Sequence, residues 1–215
     1  MRLGLELIVV GAGGHAKVVI SSLRASGWEV RAVYDDDRKK WNRKIMGINI
    51  EGPIEKLSEP DHFPAVIAVG DPLFRQYLAE RYDRDWVTVL HPRAYVDATA
   101  TVGPGSVVFA GAIIQPDVVI GAHAIINTSA SIDHDCAIAD YAHMAPGAHL
   151  AANVHVQRGA FLGTGAHVIP GITIGEYTIV GAGSTVVRDI PGHVTAVGCP
   201  AKVIKTNPLR TFPKS

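Results

Sequence analysis

The pair best suited to moving a proton in this 215-residue chain is His134-Asp135, an imidazole followed directly by a carboxylate. An unperturbed imidazole has a pKa near 6.5. A neighbouring carboxylate favours its charged form and so makes it a better proton acceptor at neutral pH. A second group of residues is suited to holding phosphate. Gly11-Ala-Gly-Gly-His-Ala16, followed by Lys17, fits the pattern G-x-G-x-x-A. Glycines at Gly13 and Gly14 let backbone N–H groups approach a phosphate at a helix N-terminus, His15 stands in the same turn, and Lys17 adds positive charge. An acidic run, Asp35-Asp36-Asp37, begins about twenty residues after Gly13, where a ribose-binding acid belongs. Gly70-Asp71 closes another apolar run and joins this set.

These residues fall on two different kinds of scaffold. From Val96 to Val186 an aliphatic residue or Met recurs at every sixth position without a break, through Val102, Val108, Ile114, Ile120, Ile126, Ile132 and onward. Four places after each anchor the residue is usually small, as at Ala112, Ala124, Ala130, Cys136, Ala142 and Ala148. No helical period gives six. Short strands joined by tight turns, three to a coil, give a parallel prism whose interior takes one aliphatic and one small residue per face, which is the hexapeptide β-helix pattern. His134 occupies the third place of its hexad, a turn position, so its side chain projects from the prism. His143, His149, His155 and His167 occupy the sixth place. His149 and His167 share one face and the other two lie on different faces, so one chain cannot gather them around a metal, and no metal is expected. His149, His155 and His167 read as packing or hydrogen-bonding residues at a subunit interface.

The first half reads as α/β. Leu5 to Val10 is an apolar strand, His15 to Ala25 has helical spacing, Val30 to Tyr34 and Ala65 to Val69 are strands, Pro72 to Tyr82 is helical, and Trp86 to Leu90 is a last strand. Alternating strands and helices predict a small parallel sheet with its ligand at the strand C-termini. The expected organisation is a Rossmann-like α/β domain over residues 1–91, a β-helix over 92–205 and a tail over 206–215. A full NAD site needs more sheet than this first domain supplies, so a mononucleotide or nucleotide sugar fits better.

Composition narrows the functions. Lys+Arg of 20 balance Asp+Glu of 20, so the positive field that drives non-specific nucleic-acid binding is missing. Two cysteines, Cys136 and Cys199, make neither a disulfide framework nor a zinc site. No apolar stretch near the start approaches a membrane span. The expectation is a soluble, unprocessed, cytoplasmic protein without nucleic-acid or membrane partners.

The chain resembles the bacterial sugar O- and N-acyltransferases that join a short nucleotide-binding domain to a left-handed β-helix, and within them the nucleotide-activated 4-amino-sugar N-acetyltransferases. The resemblance runs from about Leu7 to Lys202 and rests on Gly-Ala-Gly-Gly-His-Ala-Lys17, Asp35-Asp36, Val69-Gly-Asp71 with Arg75 following, Ile126-Asn-Thr, Asp133-His-Asp-Cys136 and Gly198-Cys-Pro-Ala-Lys202. It implies the left-handed winding, and acetyl-CoA as co-substrate with direct transfer to the sugar amine. It implies His134 as general base supported by Asp135, His143 near the acetyl carbonyl, Asn127 near the sugar, and Gly14, His15, Lys17, Asp35 and Asp36 at the nucleotide. The pantetheine arm is expected along the Gly-rich turns from Gly163 and Gly165 to Gly171 and at Gly181. An alternative is O-acetylation of sialic acid or another free sugar; a non-catalytic nucleotide-sugar-binding protein is a third reading. A prism with three flat faces and outward apolar residues such as Phe109, Ile125 and Phe161 predicts a homotrimer with active sites between subunits.

Overall fold

The computed structural model describes residues 5–59 and 63–208. The tail expected over 206–215 therefore lies, from residue 209, outside the described residues. The first domain is a five-stranded sheet in the order β3-β4-β2-β1-β5, with β1 Leu5–Val10, β2 Trp28–Tyr34, β3 Lys44–Ile45, β4 Ile48–Gly52 and β5 Ala65–Ile67. Strands β2 and β5 pair with β1 in parallel and β4 pairs with β2 in parallel; β3 folds back antiparallel on β4. Strand β1 reads as an unbroken apolar run because both its faces are covered. Leu7 and Val9 meet α1 (Gly14–Ala25), while Ile8 and Val10 pack with Leu78 of α2 (Pro72–Arg81) and with Ile54 and Leu57. The β3–β4 hairpin was not expected, since its alternation is only a few residues long.

The second domain is a three-faced parallel β-helix. Face one carries Val89–Leu90, Val107–Val108, Ile125–Ile126, His143–Met144, Phe161–Leu162 and Ile179–Val180; the hairpin Val194–Gly198 with Ala201–Thr206 extends it. Face two runs from Tyr95–Val96 to Thr185–Val186, and face three from Thr101–Val102 to Thr173–Ile174. Paired residues are 18 apart, as Ile114 with Ile132 and Ile132 with Leu150. The anchors and the small residues four places on form one buried column. Where a small residue is polar it also ties coils together: Ser106 Oγ donates to the Gly121 carbonyl and accepts from Ala124 N–H, both at 2.8 Å.

Two boundaries differ from the expectation. Trp86 makes a single parallel bridge to Ala65 of the first sheet, but Val89–Leu90 pairs with Val107–Val108. The segment expected as one strand thus leaves the α/β sheet and opens the prism ahead of residue 92. The other difference concerns the outward apolar residues. Phe109 and Ile125 are 0% and 1% exposed, and they pack in one cluster with Ala16, Val19, Ile20 and Leu23 of α1. Face one is the docking surface for the chain's own first domain. Phe109 and Ile125 are therefore spent within one chain and cannot form the trimer contact expected of them; Phe161 is half-buried on the same face. The prism's exposed apolar residues include Tyr95 and Ile113 on face two and Val119 on face three.

Candidate active site

The site residues gather in two places. His134 lies in the turn from face two to face three, with its side chain about half exposed. Its neighbour Asp135 has φ +59°, a left-handed conformation that Asp tolerates better than most residues. From there the carboxylate Oδ2 lies 2.7 Å from His134 Nδ1. A carboxylate only accepts, so Nδ1 carries the proton and Nε2 is left with a lone pair pointing away from Asp135. The imidazole pKa is raised, first by that hydrogen bond and then by the charges of Asp133, Asp135 and Asp117, with desolvation opposing.

The remaining residues meet where the first domain sits on face one. His15, in the first turn of α1, stands edge-on to Phe109 at 5.4 Å between ring centroids and 6.2 Å from His143. His143 faces outward from the prism and is buried by the docked domain; Phe161 closes on it edge-on at 5.1 Å. Asn127 begins the turn from face one to face two, and its Nδ2 lies 3.2 Å from His143 Nε2. Burial, then the positive charge of Arg75, lowers the pKa of His15 to about 4. Burial, then Arg75 and His15, lowers that of His143 to about 3, with the Gly70 backbone opposing. Both rings are therefore neutral at physiological pH. His143, expected beside the acyl donor, is grouped by the structure with His15 and Asn127.

The phosphate loop has the expected form. Gly13 caps α1 from an extended conformation, and Gly13, Gly14 and Lys17 are exposed. Asp35 holds this loop: its Oδ2 accepts from Ala12 N–H at 2.7 Å and from Lys40 Nζ at 3.0 Å, and its Oδ1 accepts from Asp37 N–H at 2.9 Å. Asp36 is exposed, with Oδ1 accepting from Ile54 N–H at 2.9 Å. Asp71 caps α2 by accepting from Phe74 N–H at 2.8 Å, and Gly70 lies between β5 and that cap. Gly163 and Gly181 follow Asn127 in one column along the edge between faces one and two. A Cβ on Gly163 would stand 2.6 Å from Ala182 N, so close stacking of coils already requires glycine there. Gly165, with φ +66°, occupies the left-handed place of the same edge.

Arg75 is the residue whose role the sequence did not disclose. It is 1% exposed and meets backbone carbonyls of both domains: Nη1 donates to Val69 and Gly70, Nε to His123, and Nη2 to Tyr141. Desolvation lowers its pKa to about 10, with Asp71 and Tyr141 opposing, so it remains a cation. Only its place three residues before the buried Leu78, on the inner side of α2, hinted at burial.

A nucleotide-type α/β domain seated on a hexapeptide β-helix that carries an exposed His-Asp pair defines the class of β-helix sugar acyltransferases. The comparisons with known proteins narrow this. Residues 6–82 match the PglD N-terminal domain, and residues 153–188 match the bacterial transferase hexapeptide (six repeats). The fold superposes with a TM-score of 0.88 on perosamine N-acetyltransferase from Caulobacter crescentus, solved with CoA and GDP-perosamine, at 41% identity over 95% of this chain and 99% of that one. It superposes equally, at 0.88, on the acetyltransferase domain of PglB from Neisseria gonorrhoeae FA1090 in complex with acetyl coenzyme A, at 34% identity over 94% and 100% of the two chains. Curated relatives match over shorter stretches. UDP-N-acetylbacillosamine N-acetyltransferase of Bacillus subtilis (strain 168) is 46% identical over 112 residues, and the match spans 50% of its length. Uncharacterized protein L142 of Acanthamoeba polyphaga mimivirus is 29% identical over 105 residues, 21% of its length. The chain belongs to the family of nucleotide-sugar N-acetyltransferases with a PglD-type N-terminal domain and a left-handed β-helix.

Proposed function

We propose that this protein transfers an acetyl group from acetyl-CoA to the 4-amino group of a nucleotide-linked 4-amino-4,6-dideoxyhexose. The observation that carries the reading is the His134–Asp135 pair, which puts a basic Nε2 on an exposed edge. In the step proposed, Nε2 takes a proton from the amine as its nitrogen attacks the thioester carbonyl. The C–N bond forms, the C–S bond breaks, and the imidazolium returns the proton to the departing CoA sulfur. Asp135 stabilises the imidazolium. His143, neutral and buried, is suited to donate to the oxygen on which negative charge develops. The loop from Gly11 to Lys17 holds the diphosphate at the N-terminus of α1, and Asp35 acts on the nucleotide mainly by fixing that loop. Acetyl-CoA runs along the edge of Gly163, Gly165 and Gly181, and the chemistry calls for no metal.

We further infer a homotrimer whose sites are shared between subunits. His134 stands on the edge opposite face one, which carries His15 and His143, so a single chain holds the two groups apart. The exposed Tyr95, Ile113 and Val119 flank the His134 edge and offer it an apolar contact with a neighbouring copy. Among the described residues no helix is long and apolar enough to cross a membrane. We place the protein in the cytoplasm, where acetyl-CoA and nucleotide sugars are made. A panel of nucleotide 4-amino sugars and free sialic acid, incubated with acetyl-CoA and followed by thiol release, tests the reading. Release with a nucleotide amino sugar supports it. Release with the free sugar alone would replace it by O-acetylation.

A further inference from the structure

Asn127 makes two hydrogen bonds that together decide where the proton on His143 sits. Its Oδ1 accepts from the Thr128 backbone N–H at 2.8 Å. A backbone N–H can only donate, so the oxygen of the amide must face Thr128 and the nitrogen must face His143. That nitrogen, Nδ2, lies 3.2 Å from His143 Nε2. Nδ2 is itself a donor, and a neutral imidazole with Nε2 accepting carries its hydrogen on Nδ1. Nδ1 is buried, with no hydrogen-bond partner of normal geometry among the described residues.

We propose that Asn127 is a positioning residue that, anchored by the Thr128 N–H, fixes His143 as its Nδ1–H tautomer, so that this part of the site presents an unsatisfied hydrogen-bond donor rather than a base. The groups facing His143 support a neutral ring. His15 comes from α1, Arg75 from α2, the Gly70 backbone from the loop between them, and the Phe161 ring from the next coil. None of these is a carboxylate that would hold a second proton on the ring. A buried donor without a partner costs about 1–3 kcal/mol, and it is satisfied when a ligand brings an acceptor, such as the oxygen of an acyl group.

The effect on turnover rests on the acetyl-transfer reading, but the tautomer does not, so the test separates them. Protein with 15N-labelled histidine is compared as wild type, Asn127→Asp and Thr128→Pro by long-range 1H–15N NMR, alongside steady-state kinetics. Thr128 is the third residue of its hexad, a place this chain already fills with Pro104, Pro116, Pro146 and Pro170, so proline fits the turn while removing the N–H. In the wild type, His143 should show a protonated Nδ1 and a bare Nε2, unchanged as the pH falls through the ordinary imidazole range. Asn127→Asp supplies an acceptor and should invert the tautomer to Nε2–H; Thr128→Pro should leave a mixture. Both should lower kcat by about 10²-fold, the lower end of the effect of losing one oxyanion donor, with KM for the nucleotide sugar nearly unchanged. Nε2–H in the wild type, or Nδ1–H persisting in Asn127→Asp, overturns the proposal even if acetyl transfer is observed. The expected tautomers with no transfer to any nucleotide amino sugar leave the proposal standing and overturn the functional reading. Should Thr128→Pro not fold, the Asn127→Asp spectrum decides alone.

Discussion

The rings of His15 and His143 stand 6.2 Å apart, one on the first helix and the other on the prism, and neither holds a charge at neutral pH. Their separation is set by the docking of the α/β domain on face one, because His15 rides on α1 and α1 buries Phe109 and Ile125. The site on face one is therefore only as well formed as the domain junction. That makes the junction's stability a functional property.

Arg75→Met tests that dependence. The substitution leaves the carbonyls of Val69, Gly70, His123 and Tyr141 without their donor, and breaking a buried charged network of this kind costs about 3–5 kcal/mol. It also removes the cation that helps keep His15 and His143 neutral, so their pKa values should rise. Thermal unfolding and NMR titration check the two effects. A melting temperature within a degree or so of wild type, by the usual conversion of stability into Tm, would show that Arg75 does not hold the domains together.

His134→Ala should lower turnover by about 10²- to 10⁴-fold, the usual worth of a general base, with nucleotide affinity intact because the nucleotide is held elsewhere. Asp135→Asn should be milder and should also move the pH profile. Asp135 raises the His134 pKa, and the base works only when unprotonated. Its removal therefore shifts the acidic limb of kcat/KM to lower pH. A limb that stayed in place would mean that another group titrates there.

The α/β domain should bind UDP or GDP without the sugar. Asp35→Ala should weaken that binding, through loss of the contacts to Ala12 N–H and Lys40, and leave CoA binding unchanged. His15→Ala should do the same. Calorimetry with both nucleotides decides it, and silence with both would leave the Gly11 to Lys17 loop without a ligand.

How far the sequence could reach follows from what kind of contact each feature needs. The prism was legible because each inward position is set by its own hexad, and one residue in six pointing to a narrow interior leaves a period that no other fold imitates. The phosphate loop and Asp35 were legible as a spacing, although Asp35 proved to hold the loop through its side chain. What was not legible depends on residues far apart in sequence. Phe109 and Ile125 look like free outward residues until α1 is laid over them. Arg75 looks like a solvated helix charge until four carbonyls from two domains surround it. The link from Thr128 through Asn127 to His143 spans a whole coil and appears only when the coil closes.

Acid should destabilise the folded chain ahead of carboxylate titration. His15, His123 and His143 have pKa values lowered to about 4, 4 and 3, each chiefly by burial. In the unfolded chain they titrate near 6.5. Between these values the unfolded state binds protons that the folded state refuses, so stability rises with pH there, and it falls as the pH drops from about 6.5 towards 4. Denaturant melts across this window should show the slope, and His123→Phe, which removes one such group outside the proposed chemistry, should flatten it. A stability flat through the window would mean that these rings take up protons in the folded state.

The last prediction follows from the distance between His134 and the face-one cluster around the prism. If each site takes His134 from one copy and Asn127, His143 and the nucleotide loop from another, then two inactive variants can repair each other. His134→Ala keeps a complete face-one site, and Asn127→Ala keeps a complete His134–Asp135 edge. Co-expressed and assembled together, they should recover a fraction of wild-type activity, because some interfaces in mixed oligomers bring two intact halves together. Mixed after separate assembly, they should recover little until the oligomers exchange. Light scattering should find a species three times the chain mass of 22.8 kDa. Co-expressed variants that stay inactive while forming mixed oligomers, or a fully active monomer, would place the whole reaction within one chain and require His134 to reach it by another route.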